Sequence, residues 1–131
     1  MSILHGVYGD IMTTPEVAEE FAEELPHWIE VQPVSDKKYQ KLLELQVDYG
    51  EASAIALASE FEDVLLLLDD LKARKLAEKL KFKFTGTLGV IYKAKQMNVI
   101  EKVKPIINKL LKTNFRISDK IVQEILKLSN E

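Results

Sequence analysis

Strands that alternate with helices, an apolar run that stops at two aspartates, and one helix built from small residues predict an α/β fold. The expected core is a small, mainly parallel sheet with helices on both faces. The chain has 131 residues, the size of one ordinary domain, and a single domain over residues 1–131 is expected.

The elements follow in order. Gly9-Asp10 precedes a short extended stretch, Ile11-Met12-Thr13. Thr14 reads as an N-cap and Pro15 as the first residue of a helix. Val17, Phe21 and Leu25 recur at a four-residue spacing, which predicts one apolar stripe along that helix, ended by Pro26. Trp28 to Val31 alternates as a short strand does, and Pro33 closes it. Ser35 is the expected cap of a second helix, with Tyr39, Leu42, Leu43 and Gln46 on one side. The run from Asp48 to Ala58 contains Ala52, Ser53, Ala54, Ala56 and Ala58. So slim a helix can approach a sheet closely, because side-chain ridges set the interaxial distance.

Val64 to Leu68 is continuously apolar and predicts a strand buried on both faces, as in a parallel sheet. Leu71 to Leu80 alternates as an amphipathic helix does, with Ala73, Leu76, Ala77 and Leu80 on the apolar side. Phe82 to Thr85 is a last short strand. Gly86-Thr87-Leu88-Gly89 turns into a helix ending near Gln96. Two amphipathic helices close the chain, Val103 to Lys112 and Ile121 to Leu128; Asn114 fits the end of the first and Ser118 caps the second.

Composition narrows the function. There is no cysteine, which excludes a disulfide framework and thiolate metal sites and fits a reducing, cytoplasmic setting. No apolar run approaches the roughly 20 residues that span a bilayer, and no signal peptide is expected. The net charge of −3 is unevenly spread: residues 1–71 hold 3 lysines against 16 acids, and residues 72–131 hold 15 basic residues against 5 acids. Carboxylates able to hold a metal beside lysines that attract phosphate are one reading; solvated helix faces are the other.

In α/β folds, ligands collect beyond the carboxyl ends of the strands. Asp69 and Asp70 stand at such an end. Carboxylates suit hard cations such as magnesium or manganese, and one or two such ions can polarise a phosphodiester and activate a water. As plain structure, the same aspartates would cap the helix that follows. Glu51 would complement a helix dipole, and Glu19, Glu20, Glu23 and Glu24 would be solvated.

Four stretches carry a resemblance. They are Thr14 to Phe21, Asp48 to Ile55, Leu65 to Arg74, and Thr85 to Val90, with Phe115-Arg116-Ile117-Ser118 as a further match in the tail. Their order and spacing from Asp10 to Ser129 resemble the PIN-domain superfamily, in its uncharacterised branch related to toxin nucleases. The resemblance implies a three-layer α/β/α fold and a Mg2+- or Mn2+-dependent endoribonuclease of toxin–antitoxin type. Glu20, Glu51 and Asp70 match the family's catalytic acids, and with Asp69 its metal ligands. Lys72, Arg74 and Thr87 would lie on the rim and meet RNA. The family also implies an antitoxin protein partner and frequent homo-oligomers.

One departure is expected to matter. The family's domains begin with a central strand ending in an aspartate. Here Ser2 to Tyr8 looks like the tail of the helix after that strand, so the domain reads as N-terminally truncated and lacking its first acid. The lost strand should leave a gap or an unpaired edge, favouring a strand-exchanged oligomer. Three functions are weighed: a metal-dependent ribonuclease; a non-catalytic module derived from a PIN domain that oligomerises or binds RNA or an antitoxin; and a phospho-receiver. The receiver lacks support, because the acidic pair follows a late strand and Thr85-Gly86-Thr87 supplies no lysine.

Overall fold

The structure is a computed structural model and describes Tyr8 and residues 10–21, 24–111 and 119–131. The readings made on Ser2 to Val7, Glu23, Asn114 and Phe115 to Ser118 lie outside these residues. The chain forms two compact units, Asp10–Thr87 and the pairing of Met1–Gly9 with Leu88–Glu131. By sequence the first carries 17 acids against 9 basic residues, and the second 4 against 9. The charge asymmetry therefore divides between the units.

In the first unit, β1 (Ile11–Thr13) leads to α1 (Pro15–Glu20), β2 (Ile29–Val31), α2 (Lys37–Leu43), α3 (Tyr49–Ala58), β3 (Leu65–Leu67), α4 (Leu71–Lys79) and β4 (Lys83–Thr85). The strands pair in parallel, as the alternation with helices requires. They form two separate two-stranded sheets, β1 with β2 and β3 with β4. Ile11 lies opposite Ile29, and Leu66 opposite Phe84.

α3 holds the unit together. Ala52, Ser53, Ile55 and Ala56 are wholly buried. Leu66 and Leu68 share one core with Ile55, Ala56, Ala73, Leu76 and Ala77. At the other side, the Thr14 and Ser53 hydroxyls lie 2.6 Å apart, and Ser53 also donates to the Gly50 carbonyl at 2.7 Å. The small residues Ala52, Ser53, Ala56 and Ala58 let this helix be approached closely on several sides. The Thr14-Pro15 start is as expected, with Thr14 Oγ1 accepting from the Val17 N–H at 3.2 Å.

Four local expectations are corrected. α1 stops at Glu20, and Phe21 is extended (φ −83°, ψ 116°) and exposed. The stripe to Leu25 does not form as helix: the sequence places glutamates four apart (Glu19 with Glu23, Glu20 with Glu24), and no basic residue supports the last turn. The cap of α2 is Asp36, not Ser35, because the Asp36 carboxylate reaches the Tyr39 N–H at 3.1 Å. The Ser35 and Asp36 N–H groups donate instead to Glu60. α2 buries Gln40 and Leu43 and leaves Leu42 exposed. Finally, β3 is buried on one face only: Leu66 is 6% exposed, but Leu65 and Leu67 are 44% and 43% exposed. Its sheet has two strands and is packed from one side by α3 and α4.

α5 (Thr87–Gln96) leads into the second unit, which also contains α6 (Lys104–Leu111) and α7 (Asp119–Leu128). Ile91, Val103 and Ile107 form its core, with Val122, Ile125 and Leu126 packed against them. The Glu131 carboxylate accepts from the N–H groups of Val103 (2.8 Å) and Lys104 (3.1 Å) and from Lys95 (2.8 Å). It thereby caps the start of α6. Lys95 donates to the Ser129 carbonyl as well. Tyr8 belongs to this unit, with Lys93 Nζ 5.7 Å from its ring centre.

Candidate functional site

The carboxyl ends of β1 and β3 both lie near the start of α3. Thr14, just after β1, meets Ser53. Asp70, after β3, acts electrostatically on Glu51, as do Asp48 and Glu20. Four acids from three segments therefore gather around the first turn of α3.

Glu51 is the centre of this group. Its Oε2 atom is buried and has no hydrogen-bond partner. Burial, followed by the charges of Asp48, Asp70 and Glu20, raises its pKa. A carboxylate oxygen buried without a donor is costly. Such a group is a marker of a functional site when it also has named charged neighbours.

Glu20 reaches the group by lying across Gly50. A Cβ at Gly50 would stand 2.9 Å from both carboxylate oxygens of Glu20, so the bare glycine seats that carboxylate. Asp48 precedes α3 in an extended conformation and makes no side-chain cap bond, leaving its carboxylate uncommitted to the helix.

The two aspartates after β3 divide their work. Asp70 caps α4, its Oδ2 accepting from the Ala73 N–H at 3.1 Å. This is the structural role weighed from sequence, combined with a position beside Glu51. Asp69 is held at both oxygens: Oδ1 accepts from the Thr87 N–H (2.8 Å) and Oδ2 from the Thr87 hydroxyl (2.6 Å). Gly86 lets this carboxylate in, since a Cβ there would be 3.0 Å from Asp69 Oδ1. The clamp ties the end of β3 to the turn after β4.

The basic candidates separate. Lys72 shares a shallow depression with Asp48, Asp70 and residues 44–47. The Arg74 guanidinium lies over the Phe84 ring, 5.3 Å from its centre, and is engaged there. The structure thus brings Glu20, Glu51 and Asp70 into one electrostatic group and places Asp69 with Thr87 beside it. It adds Asp48, which sequence reasoning passed over. The available signal was its position three residues before Glu51, where helical side chains are neighbours.

The model of the PIN domain family matches residues 1–131. The chain belongs to the PIN-domain family. Neither a curated protein nor a solved structure matches it. Membership connects the chain to nucleases at the level of the superfamily, whose domains generally depend on divalent metals. The short parallel strands and intervening helices agree with a PIN-like α/β fold. The donor set fits such a metal in kind: it is all carboxylate, and Glu51 keeps a buried oxygen without a partner. It is not closed, for among the described residues no three acids stand close enough to hold one ion. No helix among those residues is long and apolar enough to cross a membrane.

Proposed function

We propose that this PIN domain cleaves RNA phosphodiesters with a divalent metal, magnesium or manganese, at the acids around the start of α3. The observation that carries this reading is the buried, unpartnered oxygen of Glu51 among Asp48, Asp70 and Glu20. Glu51, Glu20 and Asp70 would supply the carboxylates, and they would have to swing together to do so, since no three described acids stand within reach of one ion. When bound, it supplies charge to polarise the phosphodiester and to make a water more acidic. Before that movement, Asp70 is held by its bond to α4, and Gly50 seats Glu20. Asp69, with both oxygens taken by Thr87, supports the rim. Lys72 lies where it can attract a phosphate, and Thr87 acts through Asp69.

A second reading has its own support. The acid group is open and the sheet is in two pieces, which favours a non-catalytic, PIN-derived module that binds RNA or an antitoxin-type protein. One experiment separates them. The chain and its Glu51→Gln and Asp70→Asn variants are incubated with a mixed single-stranded RNA pool and magnesium or manganese. Metal-dependent cleavage by the parent chain, reduced at least a hundredfold in both variants, is expected. Absence of cleavage by the pure parent chain would overturn the catalytic reading in favour of the second.

A further inference from the structure

Positive charge in the first unit is gathered in one place. Of its 9 basic residues, 6 stand in residues 72–83, against 1 of its 17 acids; the rest of the unit holds 3 against 16. Five of the six, Lys72, Arg74, Lys75, Lys79 and Lys81, lie on α4 or directly after it and are exposed. Lys83 turns to the other face of its sheet, since Phe84 beside it packs against the core. Lys72, Lys75 and Lys79 recur at spacings of three and four, which puts them on one side of α4. The other side buries Ala73, Leu76 and Ala77. The row covers about 10 Å along the helix axis.

A solvated helix face accounts for this row only in part. Among the described residues the ion pairs are Lys37–Glu16 and Lys95–Glu131, so none of the five cations has an acid partner. Lys75 and Lys79 are like charges four residues apart, an arrangement that costs helix stability and that an external anion relieves. Glu78 stands four residues after Arg74, where helical pairs form. Arg74 instead lies over the Phe84 ring. A flat cation braced in this way is a surface on which an unpaired base can stack. Lys72, at the start of the row, shares its depression with Asp48 and Asp70. The row therefore leads away from the acid group along α4.

We propose that α4 is a track for a single-stranded polynucleotide. Lys72, Lys75 and Lys79 take its phosphates, and Arg74, braced by Phe84, stacks one of its bases. The carboxylates around the start of α3 repel a polyanion, and the track supplies the attraction that holds one beside them. That the strand delivers a scissile phosphate to those acids rests on the nuclease reading above. Binding to the track does not, and it needs no metal.

The probe is a fluorescently labelled twelve-nucleotide oligouridylate, titrated with the intact chain in EDTA and read by anisotropy. Each phosphate contact contributes about 0.7 to the slope of log K against log salt. Lys75→Gln combined with Lys79→Gln should weaken binding at least fivefold at low salt and make that slope shallower by about 1.4. Both positions are exposed, so the fold should persist. Arg74→Lys keeps the charge and loses the flat surface, so binding should fall at least threefold with the slope unchanged. Lys38→Gln combined with Lys41→Gln removes the same charge from exposed positions of α2 and should change binding less than twofold. No binding by the parent chain, an equal loss in the α2 pair, unchanged binding in Arg74→Lys, or a duplex of the same length bound as tightly would overturn the proposal. If the parent binds as expected but cleaves nothing once magnesium or manganese is added, the track stands and the nuclease reading falls. If the parent cleaves and the α4 pair binds and cleaves like it, the track alone falls.

Discussion

Glu51→Gln should make the protein more stable in metal-free buffer. The wild-type carboxylate has one buried oxygen without a donor and faces the charges of Asp48, Asp70 and Glu20. Glutamine keeps the shape, removes the charge and can offer an N–H to a neighbouring acid. Leaving a buried polar group unsatisfied costs about 1–3 kcal/mol. Glu51 is half-buried, so solvent screening reduces the gain to about 1 kcal/mol. For a chain of this length that is a rise of about 3 °C in Tm. The pH dependence has a definite sign. The folded-state pKa of Glu51 is raised above its ordinary value of 4.5. The native state therefore takes up the proton first as pH falls, and the penalty disappears. The advantage of glutamine should be full at pH 7–8, shrink as pH falls through the raised pKa, and be lost by about pH 4.5. Thermal denaturation in EDTA across this range is the assay. A lower Tm for Glu51→Gln at pH 7, or a difference that does not change with pH, would refute the reasoning.

Other consequences are as direct. Gly50→Ala should leave stability unchanged or raise it by up to about 1 kcal/mol, as alanine favours helix; it should also push Glu20 aside and lower the Glu51 pKa, read by carbon-detected NMR titration. Thr87→Val should cost up to about 1 kcal/mol in denaturant unfolding by removing the hydroxyl from Asp69, whereas Thr87→Ser should stay near wild type. Ala56→Leu, at a wholly buried position, should cost about 1–3 kcal/mol or more by overpacking α3. Glu131 titrates at about 2, held down by Lys95 and the Val103 and Lys104 N–H groups. Protection of those two amides should be complete above about pH 4.5 and disappear as pH falls through about 2, and Glu131→Gln should reduce it at pH 7 in hydrogen exchange.

Elements with strong local signals were legible in the sequence. Thr14-Pro15 starts α1 as capping chemistry requires, α4 buries Ala73, Leu76 and Ala77, and α3 is buried on several sides because its residues are small. What escaped depends on neighbours far along the chain. Whether Leu65 and Leu67 are covered is decided by which elements reach that face of the sheet, and the apolar run alone cannot say. Ser35 reads as the cap of α2, but Asp36 takes that place, and the Ser35 and Asp36 N–H groups are held by Glu60 from a later loop, a contact that no local pattern announces. At the site, Glu20 and Glu51 were found through the resemblance, whereas Asp70, with Asp69, was already marked by its place at the carboxyl end of the apolar strand. Asp48 was missed because its part is electrostatic. Asp69 and Thr87 were known as neighbours of the site, but their mutual clamp needed the turn after β4 to fold back to the end of β3.

The most direct test of the account is paramagnetic broadening by manganese in the NMR spectrum of the intact chain. The account predicts that substoichiometric Mn2+ first broadens the signals of Glu20, Asp48, Glu51 and Asp70, and that Glu51→Gln weakens this at least tenfold. Broadening spread evenly over exposed acids such as Glu60, Glu62 and Asp63, and unchanged in Glu51→Gln, would contradict a metal centre at the start of α3.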